Sequence, residues 1–300
     1  MPGHELDPRS RLQSLAYATD IDVLPQDAIV ADHRAYVAVQ TPSVPTFYWG
    51  NFLLFREPPT EGSRERWEAD FERTFGERRH RAFGWDRVDG AVGHAEAEFV
   101  SAGYDLDVSV ALVATDADLA PHPRANRDVV VRRLNPAPGA DERAWAEVVE
   151  LQVAGREDGH DEPSYRRFVG DRQAATRGRL HVGDGAWFVA ELDGRVVATC
   201  GVIVTAGRGR YQTVETLESV RRRGIASRLV HDAGRIALTE LGADVLVIVA
   251  DADYHALPLY ESLGFAATER VCGVCWWPGA PNASRHPVLG QLAGETPSKG

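Results

Sequence analysis

Three consecutive arginines, Arg221, Arg222 and Arg223, precede Gly224, Ile225 and Ala226 in the run SVRRRGIASRL, residues 219–229. The residues before the run, RYQTVETL, have the composition of a strand, and those after it, GIASRLVHDAGRIALTELG, repeat on a helical period. At such a strand-to-helix junction the first N–H groups of the helix have no intrahelical partner. The helix dipole adds partial positive charge at the same place. Gly224 and Ala226 keep Cβ bulk low, so a phosphate can approach the backbone. The run therefore has the parts of a pyrophosphate cradle. It does not match a phosphate loop ending in Gly-Lys-Ser/Thr, nor the dinucleotide-binding GxGxxG. Its other readings are a solvated charge run and a nucleic-acid patch. The second conflicts with the formal net charge of −11, because binding to a polyanion needs a basic face.

The 300 residues suffice for one large domain or two ordinary ones, and 44% hydrophobic with 26% charged residues is the balance of a soluble globular chain. The beginning, MPGHELDPRSRLQ, lacks an apolar core of signal-peptide length, and no window reads as a membrane span. Cys200, Cys272 and Cys275 are too few for a disulfide scaffold, which points to a reduced, cytoplasmic setting. Residues 1–24 read as a tail with one short helix, RSRLQSLAYA. Residues 25–118 then alternate strand and helix. AYVAVQ and FYWGNFLLF are strand-like, SRERWEADFERTF is an amphipathic helix with Ser63 as its expected N-cap, HRAFGWDR is a strand, VGHAEAEFVSAG is helical, and DLDVSVALVA is a strand. Residues 119–128 read as a linker. Residues 129–278 carry a strand (VVVRRL), two helices, a hairpin turning at Asp193-Gly194, the strand and helix around the arginines, the buried run VLVIVA, a short helix LPLYESLGF and a last strand ATERVCGVCWW. Residues 279–300, rich in Pro, Gly and Ala, read as a loose tail.

Arg221 to Ala226 match R/Q-x-x-G-x-G/A, and ALPLYESLGF (256–265) matches A-x-x-L-Y-x-x-x-G-F, with Asp253 shortly before it. The two motifs, their order and the order of elements over residues 129–278 resemble the GNAT N-acetyltransferase superfamily. The resemblance implies an α/β fold of the α+β type with a mixed sheet, and acetyl-CoA as acyl donor without a metal. The backbone from Arg222 through Gly224, Ile225, Ala226 and Ser227 would bind the CoA pyrophosphate, with Arg221 and its neighbours in support. Thr216, Leu217 and Glu218 would pair with the pantetheine arm as an added strand. The Leu217 N–H would polarise the thioester carbonyl, and Tyr260 would protonate the departing thiolate. Asp253 falls where the family often has Asn, within the donor site.

The acceptor amine must lose a proton before it attacks. On the strand entering the cradle, Glu215 is the carboxylate before the expected oxyanion donor and is the candidate base. It lies closer to the cradle than the family's usual base, and its other reading is a strand residue paired with a nearby arginine. A water relay is a further route. The loop GREDGHDEP (155–163) gathers Glu157, Asp158, Asp161 and Glu162 around His160. Either it attracts a cationic acceptor or it is a solvated loop. Cys272 and Cys275, three apart on a strand, point to opposite faces and read as core thiols rather than a metal or disulfide pair. The acceptor class is a small-molecule amine or a peptide, with no nucleic-acid or membrane partner, on a monomer or homodimer. A non-catalytic acyl-CoA-binding module is the alternative.

A repeat is also visible. AEFVSAGYDLDVSVAL (97–112) aligns with PLYESLGFAATERVCG (258–273), setting Phe99 against Tyr260, Gly103 against Gly264 and Tyr104 against Phe265. The turn REPPTEGS lacks RxxGxA, and its prolines lack the donors a phosphate needs. The first half is thus expected to be a degenerate GNAT-like domain that packs on the active one and walls the acceptor site. Chance likeness of two αβ units is the alternative.

Overall fold

The computed structural model describes residues 11–156, 158–253 and 256–289. It divides into two compact units: residues up to Ser109 with those from Glu269 onward, and Val110–Thr268. The stretch 119–128 lies within the second unit.

In the first unit, helix α1 (Leu15–Asp22) precedes strands β1 (Ile29–Asp32), β2 (Tyr36–Gln40) and β3 (Phe52–Phe55). Helix α2 (Ser63–Phe75), strand β4 (Arg81–Trp85) and helix α3 (Ala95–Glu98) follow. Strand β5 (Asp105–Ala114) begins in this unit and ends in the second. The last strand, β11 (Ala266–Trp276), begins in the second and returns to the first, where Cys272–Trp276 pair antiparallel with β4. β1, β2 and β3 pair antiparallel, and β3 runs parallel to β4. Trp67 and Phe71, spaced four apart on α2, bury against Phe55, Phe83, Phe99 and Tyr104. The Phe55 and Trp67 rings stack at 3.8 Å. Each such side chain contributes roughly 1.5–3 kcal/mol by leaving water. The strand expected over FYWGNFLLF is confined to β3, because Tyr48–Gly50 form a 3-10 turn, with the Phe47 carbonyl before it held by the buried Asn51 side chain. Of VGHAEAEFVSAG only Ala95–Glu98 are α-helical, with a 3-10 turn at Val100–Ala102 ending on Gly103 at φ 90°.

The second unit holds β6 (Val130–Arg133), α4 (Glu142–Ala154), α5 (Glu162–His181), β7 (Gly185–Leu192), β8 (Arg195–Thr205) and β9 (Arg208–Thr216). Helix α6 (Ile225–Glu240), strand β10 (Val245–Asp251) and helix α7 (Leu257–Ser262) complete it. The strand order is β5-β10-β9-β8-β7-β6. The hairpin β7–β8 turns at Asp193 and Gly194, both with positive φ, as a two-residue turn between twisted strands requires. Ile225, Leu229, Ala233 and Ala237 form one buried stripe of α6 and pack with Phe188, Ala198, Tyr211 and Leu246 on one face of the sheet. Helix α4 serves the other face through Trp145, which meets Trp187 at 6.1 Å, and α5 through Arg172, which donates to Gln212. The two units repeat one motif: a parallel strand pair (β3–β4, β9–β10) and a helix whose preceding glycine is left-handed, Gly62 at φ 73° and Gly224 at φ 74°.

Candidate functional site

Strand β9 decides which way the candidate base points. Gly201 of β8 pairs with Gln212, and Thr199 with Glu215. Two steps along β8 thus face three along β9, a bulge of one residue, and Thr213 sits within it at φ 47°. A β-branched residue at positive φ is strained and persists only where its surroundings hold it. The extra residue reverses the parity of the strand. Tyr211 enters the α6 side, where its hydroxyl donates to the Val230 carbonyl at 2.6 Å, and Val214 packs on the same core. Gln212 faces the other side, where its amide oxygen accepts from Arg172 of α5 at 3.0 Å. Glu215 follows Gln212 to that side and reaches the end of α4. Without the bulge it would share the Tyr211 face and enter the core.

Glu215 Oε2 is buried and accepts no hydrogen bond among the described residues. A Cβ on Gly155, just past α4, would stand 3.2 Å from it, so the absence of a side chain at 155 leaves the carboxylate room. Burial pushes the Glu215 carboxyl up to about 7, partly offset by the guanidinium groups of Arg172 and Arg221. A carboxylate poised near neutral pH suits proton abstraction.

Beyond β9, a 3-10 turn (Glu218–Val220) leads to Arg221, to Arg222 at φ 61° and to Gly224. Such left-handed residues curl successive N–H groups into a concave nest. The N–H groups of Ile225, Ala226 and Ser227 have no acceptor among the described residues, and the first helical bond runs from Arg228 N–H to the Gly224 carbonyl at 3.3 Å. Arg221, Arg222 and Arg223 are exposed beside them. Arg221 Nε donates to the Thr216 carbonyl at 3.1 Å, and Arg222 and Arg223 form no ion pair among the described residues. The hydroxyl of the buried Ser227 donates to the Gly224 carbonyl at 2.9 Å.

Two expectations about this segment change. Gly224 is not small for the sake of a phosphate: a Cβ there would stand 2.0 Å from the Arg124 carbonyl oxygen, so the space belongs to the chain itself. Leu217 is not an available oxyanion donor, because its N–H is donated to the Val197 carbonyl at 2.8 Å. Neighbouring residues of an antiparallel strand turn their polar groups to opposite edges. The Thr216 carbonyl, bound by Arg221, accordingly faces away from β8. On that side, among the described residues, β9 pairs with β10 only through Arg208–Arg210 with Val245–Val247. Past those residues the two strands are not paired with each other, and the edge of β9 carrying Thr216 lies along the gap.

Tyr260 lies on α7, 4% exposed, packed on Phe265 in the same core as Tyr211, Ile225 and Leu229. It is near enough to Tyr211 to help raise that phenol, whose pKa is pushed well up chiefly by burial. The structure thus sets Tyr260 on the α6 face and Glu215 on the α4–α5 face of β9. Glu218 begins the 3-10 turn. Asp253 is exposed in a turn where its N–H donates to the Asp251 carboxylate at 2.7 Å, and no contact joins it to the cradle among the described residues. The acidic loop is largely consumed by its own structure. Asp161 caps α5 by accepting from Ser164 N–H at 3.0 Å, and Glu162 pairs with Arg166 at 3.1 Å and Arg156 at 3.6 Å. Glu157 lies outside the described residues. Cys200, Cys272 and Cys275 are buried and free, and among the described residues no cluster of His, Cys, Asp or Glu is arranged for a metal.

The counterpart of the cradle in the first unit is closed from within. The Glu98 carboxylate accepts from Gly62 N–H at 3.0 Å and Arg64 N–H at 3.2 Å, which holds its pKa below the usual range. Ser63 is therefore the first residue of α2 rather than its cap, and its hydroxyl accepts from Thr60 N–H at 2.9 Å. Phe99, matched to Tyr260, is fully buried and has no hydroxyl. Nothing in the sequence marks Arg172, Gly155 or Asn126 for the site. Each acts through a partner distant in the chain, and none lies in a motif.

The model of the acetyltransferase (GNAT) family matches residues 145–265. No curated protein matches the chain in sequence. Among solved structures, a functionally unknown conserved protein from Staphylococcus epidermidis is similar over 83% of this chain and 94% of its own, at 17% identity and a TM-score of 0.64. A GCN5-related N-acetyltransferase from Kribbella flavida covers 88% and 96%, at 16% identity and a TM-score of 0.60. A tandem GNAT protein from the clavulanic acid biosynthesis pathway covers 85% and 86%, at 13% identity and a TM-score of 0.52. At such identities the likeness is one of fold, and it extends over both halves of the chain. No helix among the described residues is long and apolar enough to cross a membrane. Residues 145–265 of the chain thus form a domain of the GNAT acetyltransferase family.

Proposed function

We propose that the second unit transfers an acetyl group from acetyl-CoA directly to a primary amine of a small molecule or peptide. The observation that carries this reading is the set of uncommitted N–H groups at Ile225–Ser227, flanked by three exposed arginines and adjoining the unpaired edge of β9. Those N–H groups and guanidinium groups hold the donor's pyrophosphate. The Thr216 edge takes the pantetheine amides as an added strand, and the Thr216 N–H, in place of Leu217, polarises the thioester carbonyl. Glu215, raised to about 7, removes the proton of the acceptor ammonium from the α4–α5 side. The freed amine forms the new C–N bond as the C–S bond breaks, and the second proton shed by the amide nitrogen passes to solvent. Tyr260, from the α6 side, gives its phenolic proton to the leaving sulfur and recovers one from solvent.

The free, buried thiols suit a reducing, cytoplasmic setting, with the chain acting as a monomer or homodimer. The test is a panel of amines and peptides offered with acetyl-CoA, following release of the free thiol. Thiol release dependent on an amine and lost in Glu215→Gln supports the reading. CoA binding without transfer to any member favours the non-catalytic module.

A further inference from the structure

The stretch 118–126, most of it within the 119–128 segment that reads as a linker, touches both signature motifs of the second unit. The Asp118 carbonyl oxygen stands 2.0 Å from where a Cβ on Gly264 would be, as the Arg124 oxygen does at Gly224. Ala120 N–H donates to the Leu263 carbonyl at 3.0 Å, and Leu119 is buried in the core beside α6 and β10. Asn126 closes the stretch onto the cradle. Its backbone N–H donates to the Gly224 carbonyl at 2.9 Å, and its Nδ2 donates to the Arg223 carbonyl at 2.9 Å. Its Oδ1 accepts from Asp128 N–H at 2.9 Å and Val129 N–H at 3.1 Å. Donors on one side and acceptors on the other set the orientation of this amide.

A trans peptide points its C=O and N–H in opposite directions. Drawing the Gly224 carbonyl toward Asn126 therefore aims the Ile225 N–H away from it. Drawing the Arg223 carbonyl does the same for the Gly224 N–H. The left-handed conformation of Arg222 that helps make this turn possible is one a free loop would leave. In the first unit the matching Gly62 has nothing near its Cβ position, and the helix start is held by Glu98 instead.

We infer that Asn126 is a positioning residue for the cradle: by holding the Arg223 and Gly224 carbonyls it directs the N–H groups at the start of α6 outward to the donor's phosphates. The inference rests on the acyl-donor reading above. Asn126→Ser keeps an acceptor for the local turn without charge, and Asn126→Asp keeps the turn fully; both lose the donor to Arg223. Two readouts apply. Limited trypsin digestion without ligand reports release of the loop through cleavage after Arg222 and Arg223, which is expected to accelerate severalfold in both variants. Titration with CoA is expected to weaken about fivefold, the effect of one hydrogen bond, and the loss in turnover to fall on KM for acetyl-CoA rather than on kcat. Unchanged cleavage and unchanged CoA affinity overturn the inference. So does a fall in thermal stability and kcat with KM unmoved, which marks a structural role only. If the wild-type chain binds no CoA while the variants still cleave faster, the acyl-donor reading fails and the clamp stands.

Discussion

Replacing Glu215 by Gln should make the protein less active and more stable, with both effects dependent on pH. The folded-state pKa of Glu215 is raised to about 7 from the 4.5 of a free glutamate. Below 4.5 both folded and unfolded chains hold the proton, and the group has no effect. Between 4.5 and 7 the unfolded chain has released a proton that the folded chain retains, so stability falls as pH rises. Above 7 the full penalty is present. At about 1.4 kcal/mol per pKa unit it amounts to about 3 kcal/mol. The substituted glutamine carries no charge to desolvate, though its buried amide lacks partners and returns roughly 1–2 kcal/mol of that gain. Urea unfolding of wild type and variant between pH 4 and 9 should therefore give a stability difference that grows in the variant's favour through pH 4.5–7 and then levels. Over the same window kcat/KM of the wild type should rise by about tenfold from pH 6 to 8 as the base ionises, and the variant should lose this limb along with roughly two orders of magnitude in rate. A stability difference independent of pH would refute the buried-carboxylate account. An acid limb surviving in the variant would refute Glu215 as the base.

Ala226→Glu places a carboxylate at the start of α6 as Glu98 is placed at the start of α2. CoA affinity measured by calorimetry should fall more than tenfold, with no loss of melting temperature, since acids are favourable in a first turn; retained affinity would remove the cradle. Tyr260→Phe keeps the packing against Phe265, so kcat should drop by about two orders of magnitude at nearly constant CoA affinity, and an unaltered kcat would remove Tyr260 as the acid. The fragment 129–278 lacks Leu112, Ala114 and Leu119, which belong to the core of the second unit, and leaves Cys272–Trp276 without β4. Circular dichroism should show no cooperative melting for it, whereas a cooperative transition would show that those residues are dispensable.

Much of the fold was legible because its causes are local. Trp67, Phe71 and Phe75 mark α2 by spacing alone, and the helix spans Ser63–Phe75 as that pattern predicts. The all-apolar VLVIVA marks a strand covered on both faces, and Leu246, Val247 and Ile248 are buried. The RRRGIA run leads into α6 and LPLYES forms α7, both legible for the same reason: each is a turn or helix end written in neighbouring residues. The capping of α2 is not legible in its own residues, because a capping carboxylate can come from anywhere in the fold, and here it comes from Glu98.

By itself the sequence determined the two αβ repeats, the glycine before each signature helix and the arginines beside the second. Only the tertiary structure decided which cradle keeps its N–H groups and which spends them on its own carboxylate. It also decided that Thr216 rather than Leu217 faces the gap beside β10. One extra residue at Thr213 put Glu215 on the face opposite Tyr260. Side-chain parity along a strand depends on the register of its partner, and a hydrogen bond on whatever acceptor the fold brings near; neither is encoded within the few residues that form a motif.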